Sequence, residues 1–193
     1  KILKLILASI MIGLLAGALS SAFLHALNYA TALRESNPYL IFGLPLFAGL
    51  FSIVIKNIPH HVNQGIPYLL EELENPKAQV SPWMTPFIFI SSLGTHLFGG
   101  SAGREGVGVV MGASAAHLLE GMQVHRRILI YAGAAAGFSS IFGTPLAAIL
   151  FCFEVNRFID IDRADLVIYT AIASFAGLII PNFAGPVHQH FEV

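Results

Sequence analysis

Gly99-Gly100-Ser101-Ala102-Gly103-Arg104-Glu105-Gly106-Val107-Gly108 closes one long apolar run and opens the next. An arginine and a glutamate stand there with apolar residues on both sides. Ionisable groups at membrane depth are costly, and they face a cavity, an ion path or a partner. The glycines permit unwound backbone and close approach of an ion, and Glu105 falls in the first turn of the helix that follows. An anion and a carboxylate compete for the same positive helix end. Transport follows in outline: an ionised Glu105 occupies an anion position, and its protonation or displacement opens that position. The structural alternative is an Arg104–Glu105 pair, although sequence neighbours on a helix do not face one another.

Outward from this segment the chain is almost devoid of charge. Uncharged stretches cover residues 5–33, 36–55, 78–103, 128–153 and 166–191. Each reaches the roughly 20 residues that span a bilayer core. Five membrane crossings are predicted. Residues 106–119 are also uncharged, but at ~1.5 Å per residue they cover only about 21 Å of a ~30 Å hydrocarbon layer. They read as a half-span or re-entrant helix.

Composition agrees. Of 193 residues, 55% are hydrophobic and 11% charged, against about 25% charged in soluble domains. A net charge of −1 and a mean hydropathy of +0.73 exclude disorder and give no basic field for nucleic acid. The single Cys152 excludes a disulfide framework and a cysteine-only metal cluster. The runs lack the alternation of a membrane barrel, so the class is all-α, one transmembrane domain over residues 1–193. The first run is too long for a signal peptide and has no cleavage pattern. Lys1 and Lys4 favour a cytoplasmic amino terminus.

A second half-helix is predicted at Asn63-Gln64-Gly65-Ile66-Pro67-Tyr68-Leu69, where polar residues, a glycine and a proline mark a helix start with outward-pointing amides. Together with the Glu105 segment it supplies two helix ends that can converge on one anion, a layout of transporters with broken helices. Turns are predicted at Asn37-Pro38, Asn57 with Pro59, Asn75-Pro76, Ser81-Pro82 and Pro181-Asn182. Gly13, Gly17, Ser20 and Ser21, and the run Gly133 to Gly137, read as small-residue packing faces. Cys152 reads as a core residue. Phe98, Phe142, Phe151 and Phe153 read as packing, with a halide path as the alternative. Arg126, Arg127 and His125 read as interfacial or loop charges.

Gly103-Arg104-Glu105-Gly106 before an apolar helix resembles the G-R-E-G-P signature of CLC chloride channels and proton-coupled anion antiporters. Asn63 to Pro67 falls where that family carries G-S-G-I-P. Gly133-Ala134-Ala135-Ala136-Gly137, leading to Thr144-Pro145-Leu146-Ala147-Ala148-Ile149-Leu150-Phe151 and Glu154, is similar to its G-A-A-A-G and A-P-L-A-G-x-L-F-x-x-E stretch. The resemblance implies a CLC-like inverted-repeat helical fold with tilted and half-spanning helices, and a homodimer with one pore per subunit. Glu105 would gate and accept protons. Gly103, Gly106, Val107 and Gly108 would hold the anion through their backbone, with Asn63, Gln64 and Gly65 at the second helix end.

The resemblance covers only the family's amino-terminal repeat, so the expectation is a fragment, or a half-size protein that assembles with a partner or an inverted copy of itself. Gln64 stands where the family's anion-coordinating serine would be, and Val107 replaces a proline. Val155 takes the place of an internal proton-transfer glutamate. The run from His96 to Gly106 looks more like the fluoride-exporting branch. The expected function is therefore fluoride/proton antiport ahead of chloride transport, in a multi-pass protein of the bacterial inner membrane whose partners are halide, protons and lipid. No enzyme activity, cofactor, metal or nucleic acid is expected.

Two rival readings come from the residues themselves. Gly99-Gly100-Ser101-Ala102-Gly103 fits G-x-S-x-G, with Ser101 as a hydrolase nucleophile and His96 or His117 as base, but that motif wants a strand-to-helix elbow. His60-His61 and His188-Gln189-His190 lack the i, i+4 spacing of a helical zinc pair.

Overall fold

The computed structural model describes residues 2–74, 80–122, 125–155 and 162–184. Every regular element among them is helical: α1 (Ile2–Ser36), α2 (Leu44–Lys56), α3 (Ile66–Glu74), α4 (Met84–Leu97), α5 (Glu105–Ala115), α6 (Arg126–Phe142), α7 (Pro145–Val155), α8 (Arg163–Gly177) and α9 (Ile179–Phe183), with short 3₁₀ turns at Pro38–Gly43, His60–Asn63 and Ala116–Met122.

α6 is the central post. It packs against α1, α5, α7 and α8, and the whole stretch from Arg127 to Gly137 is buried. Its small residues make this possible. A Cβ on Gly137 would collide with the carbonyl of Gly108, and one on Gly112 with the carbonyl of Gly133. The i, i+4 glycine pairs of α5 and α6 thus bring two backbones together. α1 meets α8 in the same way, where a Cβ on Gly13 would lie 2.6 Å from the Ala173 carbonyl oxygen and one on Gly17 2.5 Å from that of Gly177. Hydroxyls join the seam of α6 and α8: Ser139 donates to the Ser174 carbonyl at 3.0 Å and Ser140 to that of Gly177 at 3.0 Å.

Five crossings are predicted; among the described residues three helical segments are long and apolar enough to cross a membrane, Ile2–Ser36, Pro38–Lys56 and Arg163–Phe183. The other two runs are shortened or broken for local reasons. In the run over residues 78–103, α4 starts only at Met84, after Ser81-Pro82, and stops at Leu97. In that over residues 128–153, Gly143 takes a left-handed φ of 70° and caps α6; Pro145 then opens α7 as a separate short helix, as a proline at a first helical position does. The predicted half-span forms as α5, continued by a 3₁₀ turn. The turn predicted at Asn75-Pro76 and the histidines His188 and His190 lie outside the described residues.

Arg127 corrects its reading as an interfacial or loop charge. Its side chain is 5% exposed, and Nη2 donates to the Leu73 carbonyl at 2.5 Å. The last carbonyls of a helix lack intrahelical partners, so this arginine ties the end of α3 to the start of α6. Cys152 sits in the core as expected, its thiol directed at the Tyr131 carbonyl at 3.5 Å.

α2 is attached differently. None of its residues is buried, and its hold on the rest is a ladder of rings. Phe47 meets Phe98 at 5.4 Å between centroids, Phe47 stacks on Phe51 at 5.4 Å, and Phe51 stacks on Phe87 at 5.3 Å. Gly94 makes room for it, because a Cβ there would strike the Phe47 ring.

Candidate anion site

The decisive segment begins where α4 ends. Gly99 has a left-handed φ of 81°, its N–H donates to the His96 carbonyl at 3.1 Å, and that of Gly100 donates to Thr95 at 2.8 Å. This is the Schellman arrangement, and glycine takes the left-handed position without steric cost. Residues 101–103 then run irregularly into α5. Ser101 is therefore approached from a helix rather than from the strand a hydrolase elbow requires, and His96 spends its Nδ1–H on the Ser92 carbonyl at 2.8 Å.

Arg104, half-buried, is the N-cap of α5, and Glu105 is its first residue. The first bond closing the helix runs from the Gly108 N–H to the Arg104 carbonyl, at 3.4 Å. The amides of Glu105, Gly106 and Val107 come before it and have no intrahelical acceptor. Glu105 itself is exposed. Its Oε2 lies 2.7 Å from where a Cβ on Gly103 would stand, so the carboxylate folds back over a position that only glycine leaves open. Among the described residues Arg104 and Glu105 form no ion pair with each other, as neighbours on one helix do not face.

α3 brings the second helix end. Gly65 has a φ of 62°, and the Leu69 N–H closes the first turn on the Gly65 carbonyl at 3.1 Å. Ile66, the first residue of α3, places its Cδ1 3.0 Å from where a Cβ on Gly106 would be. Between the two helix starts lies a cavity of about 210 Å³. Ile66 lines it from α3, Gly106 and Val107 from α5, and Ala102 and Gly103 from the connecting loop; α4 closes it with Ile88, Ser91, Ser92 and Thr95.

Of the residues read as anion-binding, Gly103, Gly106 and Val107 therefore come together, with the Glu105 carboxylate beside Gly103. Gly108 does not join them. It packs on α6, where a Cβ would lie 2.6 Å from Ile141 Cδ1 and 2.8 Å from the Gly137 carbonyl oxygen, and its N–H is taken by Arg104. Asn63 and Gln64 are exposed at the turn before α3 and do not line the cavity, while Gly65 supplies the turn. The hydroxyls of α4 went unnoticed in the sequence. Their signal is the spacing of Ile88, Ser91, Ser92 and Thr95, one helical face that turns polar inside an apolar run.

The family model described as voltage gated chloride channel matches residues 46–193. The chain belongs to the CLC family. A chloride/fluoride channel protein of Pseudomonas syringae pv. tomato (strain ATCC BAA-871 / DC3000) is 35% identical over 187 residues, which cover 95% of this chain and 41% of that protein. An H(+)/Cl(−) exchange transporter ClcA of Cronobacter sakazakii (strain ATCC BAA-894) is 30% identical over 177 residues, 80% of this chain and 37% of that one. The crystal structure of a CLC-type fluoride/proton antiporter superposes with a TM-score of 0.85 at 31% identity, over 96% of this chain and 48% of that chain. A slow cyanobacterial Cl−/H+ antiporter gives a TM-score of 0.74 at 24% identity and supports the fold alone. The CLC chain described here spans less than half the length of each of these proteins. Its all-helical CLC fold and its long apolar helices are those of an integral membrane protein.

Proposed function

We propose that this chain forms one half of a CLC-type transport unit that carries halide across a membrane in exchange for protons, fluoride ahead of chloride. The observation that carries the reading is the meeting of two helix starts, Ile66 of α3 against Gly106 of α5, around one cavity. Unpaired amides and aligned dipoles make such a place favourable for an anion. Gly103, Gly106 and Val107 hold the ion through their backbone. The Glu105 carboxylate, tethered at the same helix start, takes the anion's place when ionised and leaves it when protonated. Asn63, Gln64 and Gly65 act at the approach to the site, and Arg104 shapes the field without touching the ion.

The fluoride preference is supported by the likeness to a chloride/fluoride channel protein and to a CLC-type fluoride/proton antiporter, and by Gln64 and Val107 in place of the chloride-type serine and proline. The complete unit adds a second half, pairs into a homodimer in lipid, and belongs in a bacterial inner membrane. Efflux of fluoride and of chloride from liposomes, with proton movement recorded and a second half supplied, tests the reading. Fluoride is expected to leave faster than chloride, with protons moving in the opposite direction. In Glu105→Gln, proton coupling is expected to fall at least about tenfold, because the amide cannot take up the proton. If neither ion moves, the transport assignment is wrong; full coupling in the glutamine variant would remove Glu105 as the gate.

A further inference from the structure

We propose that the Ser92 hydroxyl is a direct ligand of the transported anion, a hydrogen-bond donor carried by α4 that favours a small, strongly hydrated halide. The proposal rests on the transport reading above and adds a residue to its site.

Ser92 is 5% exposed and lines the cavity shared with Gly106 and Val107. Among the described residues its Oγ has no hydrogen-bond partner. The neighbouring hydroxyls on the same helix are occupied. Ser91 donates to the Ile88 carbonyl at 3.2 Å, Thr95 to that of Ser91 at 2.7 Å, and Thr85 to that of Met111 at 3.4 Å. A serine in a helix ordinarily turns its proton back to the carbonyl four residues earlier. For Ser92 that carbonyl belongs to Ile88, which already serves Ser91. A buried hydroxyl without a partner is disfavoured, and within a cavity the deficit is made good by whatever the cavity holds.

Ser9, Ser20 and Ser174 also carry unpartnered buried hydroxyls, but they are 0% exposed in the packed seams of α1 and α8. Ser92 differs in standing against the two helix starts. The amides of Gly106 and Val107 supply positive potential, and the hydroxyl supplies a directed proton. Fluoride, with its charge concentrated in a small radius, gains more from such a donor than chloride does.

The test compares the wild-type unit with Ser92→Ala, Ser92→Thr and Glu105→Gln in liposomes. It is paired with direct titration of sodium fluoride and sodium chloride into the same detergent-solubilised preparations and with their melting temperatures. Ser92→Ala is expected to raise the half-saturating fluoride concentration about tenfold, the loss typical of one hydrogen bond to a charge, and that of chloride by less. Its melting temperature should be unchanged or higher, because an orphaned hydroxyl has been removed. Ser92→Thr, which keeps the donor, should stay within about threefold of wild type, by the same reasoning. Fluoride half-saturation in Ser92→Ala within about twofold of wild type overturns the proposal, as does the absence of any fluoride binding by the wild type. Fluoride binding that depends on Ser92 in a unit that moves no ion would instead sink the transport reading and leave the ligand standing. If Ser92→Ala fails to fold, Ser92→Cys gives the same comparison with a weak donor.

Discussion

Arg127 and Glu105 resolve the problem of charge in an apolar chain in opposite ways. Arg127 is buried and bonded to the Leu73 carbonyl, so its role is to hold α3 against α6. Arg127→Ala removes a charge-assisted hydrogen bond and leaves a helix end uncovered. It is expected to cost about 2–4 kcal/mol, read as a lower melting temperature in detergent, with Arg127→Lys losing less. Glu105 is exposed beside Gly103, so its charge stays outside the packed core. Its place was legible in the sequence because Gly103-Arg104-Glu105-Gly106 interrupts an otherwise uncharged stretch. The role of Arg127 was not. Beside Arg126 and His125 it looked like a solvated charge, and the carbonyl that claims it lies 54 residues away.

At the scale of helices, close approach is bought with glycine. The seam between α5 and α6 has no room for a Cβ at Gly112, whereas nothing lies within 4 Å of one at Gly49 in α2. Gly112→Ala is accordingly expected to destabilise by about 1–3 kcal/mol through forced separation of two backbones. Gly49→Ala should stabilise by up to about 1 kcal/mol through helix propensity. Thermal unfolding of the two variants under one set of conditions checks both, and equal effects would remove the argument for the seam. The sequence showed the small residues of α1 and α6 but assigned Gly108 to the anion. A glycine at a helix start near an ionisable motif serves backbone–ion and helix–helix contact equally well, and only the neighbour Gly137 decides between them. Helix ends were read with uneven success for a related reason. Run length alone joined α6 to α7, although Gly143 and Pro145 between them carry the signals of an end and a start.

For the whole molecule, the telling feature is how much apolar surface is left uncovered. α2 has no buried residue, and on α7 Leu146 is 70% and Leu150 66% exposed. Apolar surface of this extent is matched to apolar surroundings rather than to water. If the homodimer of the proposed unit forms through this exposed side of α7, the double substitution of Leu146 and Leu150 by serine will shift the complete unit from dimer to monomer by size-exclusion chromatography with light scattering in detergent. An unchanged mass would place the subunit contact elsewhere.

From the sequence follow the helical, membrane-embedded class and, through its motifs, the likeness to CLC proteins. The helical, membrane-embedded class depends on composition and charge spacing, which are properties of short stretches, whereas the likeness to CLC proteins rests on the resemblance of its motifs. Tertiary structure alone decided which face of each helix is inside, that Gly108 packs on α6, that Arg127 closes the end of α3, and that the hydroxyl of Ser92 is left without a partner at the cavity. In lipid both faces of a helix are apolar, so hydropathy loses the periodicity that would reveal the inner face. Whether a polar atom is satisfied depends on groups that the fold brings from far along the chain.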